Sequence, residues 1–293
     1  MKSGFVTILG RPNVGKSTLL NTLAGQKIAI VSNKPQTTRT AIKGIINKKN
    51  AQIIFTDTPG IHKPKNKLGE KMNETVEEAY DGVDVILFLI DGNDTIISKA
   101  NETILEKIKG IKGKKILVIN KVDTIKKEGI LELIKLYNEQ YNFEAIIPIS
   151  AKKNDGVDDL LNKIIELLPE GPAYYSEDEF TDQTERQIIE ETIREKALKC
   201  LNEEIPHGIA VEVITMKKRP NKKLYDIEAT IYCEKKSHKG IIIGKNGAVL
   251  KLIGVRARED IEEMMQSKVN LQLWVKVKEG WRDNETKLRQ IFK

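Results

Sequence analysis

Short apolar runs alternate with amphipathic stretches through the first 170 residues of the chain. Runs at 5–9, 41–47, 52–56, 84–90, 114–119 and 145–149 have the length and β-branched content of buried strands, and a 3.6-residue apolar period predicts helices over 17–24, 68–81, 99–109, 128–141 and 157–168. Strand followed by helix, repeated, predicts a parallel sheet covered on both faces. The strands at 41–47 and 52–56 are separated only by a lysine-rich turn, so they read as a hairpin that adds one antiparallel edge. Pro169-Glu170-Gly171-Pro172 then signals a linker. Beyond it, 185–203 reads as a long helix, and 208–216 and 224–233 as strands around the basic loop 217–223. A short apolar helical turn, a glycine-bearing loop, a helix over 248–267 and a strand over 269–278 complete the pattern. The expected organisation is an α/β body over 1–170, a linker over 171–184, an α+β body over 185–280 and a C-terminal tail or helix over 281–293.

A chain of 293 residues with 40% hydrophobic content is long enough for two cores. Its dense run at 85–90 is far shorter than the ~20 residues a spanning helix needs, and the N-terminus enters the first strand directly, so a soluble, unprocessed protein is expected. Cys200 and Cys233 lack metal-ligand spacing and read as free thiols of a reducing cytoplasm, and His62, His207 and His238 are scattered and suggest no metal centre. The net charge of +7 is unevenly distributed: +5 over 1–170, −6 over 171–204 and +8 over 205–293. An acidic connector joins two basic bodies. Residues 217–258 carry 12 basic and 3 acidic side chains, which suits a polyanion partner or a solvated face.

The candidate chemistry starts at Gly10-Arg11-Pro12-Asn13-Val14-Gly15-Lys16-Ser17, which fits the phosphate-loop pattern G-x-x-x-x-G-K-S/T between a strand and a helix opening with Thr18. Backbone N–H groups there wrap a polyphosphate at a helix N-terminus, Lys16 reaches the outer phosphates and the Ser17 hydroxyl holds magnesium. The polar loop 32–40 offers a threonine to complete the magnesium shell. Asp57-Thr58-Pro59-Gly60 follows a strand, so Asp57 reaches the magnesium region and the Gly60 N–H approaches the last phosphate. Asn120-Lys121-Val122-Asp123 follows another, where the Asp123 carboxylate matches two guanine donors, the ring N–H and the exocyclic amine; adenine has no such pair. Capping of the next turn is the other reading of Asp123. Ser150-Ala151-Lys152 is placed to close over the base from the far side.

The ordered set GRPNVGKS, Thr38 within QTTR, DTPG, NKVD and SAK resembles the five signatures of translation-factor-related GTPases, over residues 4–168. The resemblance implies Gly15, Lys16 and Ser17 at phosphates and magnesium, Thr38 and Asp57 as magnesium-side switch residues, and Asn120, Lys121 and Asp123 at guanine. Lys16, Thr38, Asp57 and Gly60 would then carry catalysis. One departure stands out: Ile61 follows DTPG where Ras-type enzymes have a water-orienting glutamine, and isoleucine has no group to position water. A slow, regulated switch is expected. Related GTPases with asparagine at the position of Asn13 are potassium-stimulated, which implies K+ beside Mg2+ as an ionic cofactor.

In the second body, Gly244-Lys245-Asn246-Gly247 lies between an apolar turn and a long helix, an order that resembles a type II KH domain. Two glycines admit single-stranded backbone, Lys245 meets phosphate, and the following helix N-terminus adds N–H donors. Ile241, Ile242 and Ile243 are candidates for the groove floor, with core burial the expected fate of at least one. Arg256 and Arg258 read equally as RNA contacts or solvent-facing charges.

A P-loop GTPase domain with a mostly parallel sheet, followed by an α+β type II KH domain, is similar to the Era family over nearly the whole chain. That implies a bacterial enzyme that hydrolyses GTP to GDP and phosphate, binds the 3′ end of 16S rRNA and acts in small (30S) subunit biogenesis. It also implies cytoplasmic residence with some peripheral membrane contact. The competing reading is a signalling switch with membrane or cell-cycle partners, its KH-like domain a protein adaptor.

Overall fold

The computed structural model describes residues 1–32, 34, 37–60, 64–202 and 205–291. They form two compact units: Met1–Val31, Thr38–Pro64 and Gly69–Asp182 in one, and Ser32–Thr37, Lys65–Leu68 and Gln183–Lys293 in the other.

In the first unit the chain runs β1 (Lys2–Leu9), α1 (Lys16–Ala24), β2 (Ile42–Lys48), β3 (Ala51–Asp57), α2 (Lys67–Glu78), β4 (Val85–Asp91), α3 (Lys99–Lys109), β5 (Lys114–Asn120), α4 (Lys127–Asn138), β6 (Ala145–Pro148) and α5 (Val157–Leu167). The strands make one sheet in the order β2-β3-β1-β4-β5-β6. All neighbours are parallel except β2 and β3, the hairpin edge. The two-residue period of each strand divides its side chains between two cores. Val85, Leu87 and Leu89 of β4 face one with Leu19, Leu20, Leu160 and Ile164, while Ile86, Phe88 and Ile90 face the other with Ile104, Ile108, Leu133 and Tyr137. Because the strands are parallel, the loops after β1, β3, β4, β5 and β6 gather at one end of the sheet, where α/β proteins bind ligands.

The acidic segment read as a linker is not loose chain over 171–182. It lies along the hairpin: Ile45 donates its N–H to the Phe180 carbonyl at 2.9 Å, and the Thr181 hydroxyl donates to the Lys43 carbonyl at 2.7 Å. Gln52, buried on β3, donates to the Tyr175 carbonyl and accepts from the Tyr174 N–H, while the Tyr174 ring stacks obliquely on Phe5. The segment thus covers backbone groups that an edge strand otherwise exposes.

The second unit contains α6 (Glu185–Cys200), β7 (Ala210–Lys218), β8 (Leu224–Cys233), α7 (Lys236–Ile243), α8 (Ala248–Met265), β9 (Lys268–Val277) and α9 (Glu285–Ile291). A capping box of Thr184 and Gln187 opens α6. The sheet order is β7-β8-β9, with β7 antiparallel and β9 parallel to β8. A parallel pair needs a crossover, and α7 with α8 supply it. Ile189, Ile193 and Ala197 of α6 and Ile253, Ala257 and Ile261 of α8 recur at helical spacing and are buried, as are Ile227, Ala229 and Ile231 of β8. Trp281 is fully buried and its indole N–H donates to the Gly208 carbonyl at 3.0 Å. Residues beyond 280 therefore contribute a large side chain to this core.

Candidate nucleotide and nucleic-acid sites

Between β1 and α1 the loop reverses with positive φ at Asn13 (66°) and Gly15 (104°). Glycine at 15 has a second cause besides its dihedral: a Cβ there would lie 2.2 Å from the Asn120 amide nitrogen. The Lys16 ammonium is buried inside the loop and donates to the Gly10 and Arg11 carbonyls at 3.2 Å each. Burial pushes its pKa down, against the pull of the nearby Asp57 carboxylate. Arg11, Pro12 and Thr18 are partly exposed, Val14 is core, and Asn13 stands exposed at the lip.

The magnesium-side candidates converge. The Ser17 hydroxyl donates to Asp57 Oδ2 at 2.7 Å and lies 3.2 Å from the Thr38 hydroxyl, which is itself 3.3 Å from Asp57 Oδ2. Asp57 is fully buried, and its Oδ1 has no hydrogen-bond partner among the described residues. Burial pushes its carboxyl pKa up, with Lys16 and then the two hydroxyls pulling it back. Two hydroxyls gathered on one oxygen of a buried carboxylate whose other oxygen is unsatisfied fit a magnesium ion held by oxygen ligands. Thr58 is buried with its hydroxyl bonded to the Ile8 carbonyl at 3.0 Å, leaving only its backbone for a ligand. Pro59 is buried and Gly60 lies against Pro12. Ile61 lies outside the described residues.

The guanine-side residues brace one another. Asn120 donates from its amide to the Val14 carbonyl at 2.8 Å and accepts the Ala151 N–H at 3.0 Å, joining three motifs through one side chain. Lys121, at φ 67°, donates to the Asn13 carbonyl at 2.9 Å and to Asp91 Oδ2 at 2.6 Å. Asp123 is held by the buried Ser150 hydroxyl at 2.7 Å, the main cause of its lowered pKa, with Lys153 3.7 Å away. The carboxylate stays ionised and aimed. Ser150 thus acts on Asp123, while Lys152 is exposed. Sequence reading gave no role to Asp91. Within the second unit, the buried Arg194 guanidinium of α6 forks onto Glu191 and donates to the Thr37 carbonyl, a contact that sequence reading missed. An arginine among helical charges carries no local signal for such a contact.

In the second unit, Gly244 ends α7 at φ 74°, ψ 174°, a region essentially reserved for glycine, and a Cβ there would lie 2.5 Å from Val249 Cγ2. Asn246 (φ 51°) and Gly247 (φ 77°) continue the left-handed path, and α8 begins with no side-chain cap. Its first residue, Ala248, donates its N–H to the Lys245 carbonyl, and Lys245 and Asn246 in the loop before it are exposed. Ile242 corrects the expectation of a groove-floor residue: it is fully buried and has no surface to offer a base, because its position on α7 faces the core. Ile241 is 52% exposed, and Leu252 and Val255, one turn apart on α8, add exposed apolar surface that sequence reading missed. Arg256 and Arg258 are exposed.

A family profile described as a 50S ribosome-binding GTPase matches residues 5–121, and one described as a KH domain matches residues 204–282. The curated GTPase Era of Ruminiclostridium cellulolyticum is 53% identical over 290 residues, covering 99% of this chain and 97% of that protein. The chain belongs to the Era family of GTPases. GTPase Era of Clostridium tetani is likewise 53% identical over 291 residues, covering 99% and 98%. The crystal structure of an Era in complex with MgGDPNP and nucleotides 1506–1542 of 16S ribosomal RNA covers the whole of this chain and 99% of its own, at 41% identity and a TM-score of 0.97. A tyrosine-to-alanine variant of Aquifex aeolicus Era bound to GDP and aluminium fluoride matches at 40% identity and a TM-score of 0.96, covering 100% and 99%. The Era fold therefore extends through both units. Among the described residues no helix is long and apolar enough to cross a membrane.

Proposed function

We propose that this Era-family GTPase is an assembly factor of the small ribosomal subunit that binds the single-stranded 3′ end of 16S rRNA at the Gly244–Gly247 loop. One observation carries the reading: a guanine-type phosphate-loop site and a glycine-strained loop opening an uncapped helix occur in one chain, on the fold of an Era bound to that RNA. In the nucleotide site, the backbone N–H groups of the 10–18 loop, Pro12 excepted, and Lys16 would hold the phosphates, and Ser17, Thr38 and Asp57 would hold magnesium. When bound, the ion offsets charge on the outer phosphate oxygens. Asn120, Lys121 and Asp123 read guanine, with residues 150–152 behind them. Residues 58–60 approach the last phosphate through their backbone.

With an isoleucine where a glutamine would orient water, charge developing between the outer phosphates needs another partner, and the Asn13 side-chain carbonyl would hold a potassium ion that supplies positive charge there. GTP orders the segments around Thr38 and Asp57, and that order changes how the RNA groove is presented. Cytoplasmic residence, with peripheral contact at the inner face of the membrane, belongs to the same reading.

The test is a titration of the full chain with a labelled single strand of the 16S 3′-end sequence over a series of salt concentrations. Affinity is expected to fall with a log-log slope of about 0.7 for each phosphate neutralised. Absence of binding, or binding insensitive to salt, overturns the RNA reading and favours a protein adaptor.

A further inference from the structure

We infer that the turn Asp91 to Asp94, after β4, presets both halves of the nucleotide site, and that Asp94 is the positioning residue of the phosphate loop. None of the five signature motifs includes this turn, yet each end of it grips one of them. Both Asp94 carboxylate oxygens accept the Arg11 guanidinium, at 2.6 and 2.5 Å, and Arg11 is the second residue of the phosphate loop. Asp94 is itself fixed from behind. The fully buried Asn101, in the first turn of α3, donates to Asp94 Oδ2 at 3.3 Å and to the Tyr137 hydroxyl at 2.8 Å. Tyr137 of α4 is equally buried and meets Phe88 edge-on, so Arg11 is tethered through Asp94 to two packed helices and to β4.

The other end of the turn grips the guanine motif. Asp91 Oδ2 accepts from Lys121 at 2.6 Å, and Asp91 Oδ1 accepts from the Asn93 N–H and amide at 3.0 and 2.8 Å. Asn93 also donates to the Thr124 hydroxyl at 2.9 Å, and the Gly92 N–H donates to the Asn120 carbonyl at 2.7 Å. Four consecutive residues thus hold position 11 on one side and positions 120, 121 and 124 on the other. Donors aimed at a phosphate before it arrives cost no ordering when it binds, which is the gain from preorganisation. The Asp94 arm governs the phosphates, which GDP and GTP share; the Asp91 arm governs the base.

This inference rests on GTP binding at residues 10–18, which titration of the wild-type chain tests separately. Asp94→Ala in the full chain is expected to weaken GDP and GTP by a common factor of about ten, the scale of a lost charged hydrogen bond, with discrimination between GTP and inosine triphosphate unchanged. Asp94→Asn, which keeps one acceptor, should recover part of the loss. Arg11→Met should reproduce the Asp94→Ala loss, and combining the two should add nothing further, because they remove one interaction. Asp91→Ala should instead narrow the preference for GTP over inosine triphosphate. A wild-type affinity in Asp94→Ala overturns the role, as do additive losses in the double variant. Should Asp94→Ala fail to fold, Arg11→Met decides alone: unchanged affinity for both nucleotides contradicts the inference.

Discussion

The nucleotide site and the Gly244–Gly247 loop are both polar sites built beside helix N-termini, and they are organised in opposite ways. At the first, Lys16, Thr38, Asp57, Asn120 and Ser150 are buried and bonded to one another or to backbone. At the second, Lys245 and Asn246 are exposed, and the shape comes from backbone dihedrals that glycine permits. A buried network selects a small ligand because an unmatched ligand leaves donors and acceptors unpaired in a low dielectric. An exposed loop with a positive charge attracts an extended polyanion at little desolvation cost, and its grip depends on salt. The difference teaches that a one-atom change should redirect the first site, whereas the second should respond to charge and backbone shape.

The largest effect is expected at Asp123. Asp123→Asn swaps one acceptor for a donor opposite the guanine amine, so GTP affinity should fall by about a thousandfold or more while xanthosine triphosphate, with an acceptor at that place, should gain. Competition titrations with the two nucleotides check it, and retained GTP selectivity would break the first half of the comparison. Next come the glycines of the second loop. Gly244→Ala drives a Cβ into Val249 and should lower the stability of the KH unit by about 2 kcal/mol, whereas Gly247→Ala meets no atom and should cost about 1 kcal/mol for its dihedral alone. Chemical denaturation of the two variants gives the order.

A smaller, kinetic effect is expected at the lip of the phosphate loop. Potassium should accelerate GTP hydrolysis over sodium at equal ionic strength, and Asn13→Ala should remove the difference. Equal wild-type rates at saturating GTP would return the search to a switch residue or a partner. The smallest effect concerns the base of the basic hairpin, where Arg219 and then Asn270 hold the exposed Asp226 carboxyl down to about 2. A depressed folded pKa stabilises above the ordinary carboxylate value, and the gain is lost as pH falls through about 2. Asp226→Asn should therefore lower the melting temperature slightly at pH 7 and not at pH 2.

The strands and helices were legible from their periods, and four of the five GTPase motifs follow strands, whose parallel run delivers their C-terminal loops to one place. The Asp123 carboxylate carries a chemical signal of its own in the sequence, but its hydrogen bond from Ser150 does not, since that pairing spans 27 residues. Arg11, Asp94, Asn101 and Tyr137 have ordinary local readings, and the Arg11 to Asp94 link spans 83 residues. Three consecutive isoleucines on α7 hid which one faces out, because a run without polar neighbours has no phase. Residues 171–182 have linker composition, yet their backbone completes a sheet edge, a pairing that side-chain polarity does not report.

The central claim is that the two sites are chemically separate, one for GTP and one for single-stranded RNA. Parallel titrations of Lys245→Asp combined with Asn246→Asp against 16S 3′-end RNA and against GTP test it most directly, since two carboxylates then face the phosphate backbone without touching the nucleotide site. The account predicts that RNA binding is abolished while GTP affinity stays close to unchanged. RNA affinity that survives the double substitution, or GTP affinity that falls with it, would contradict the account.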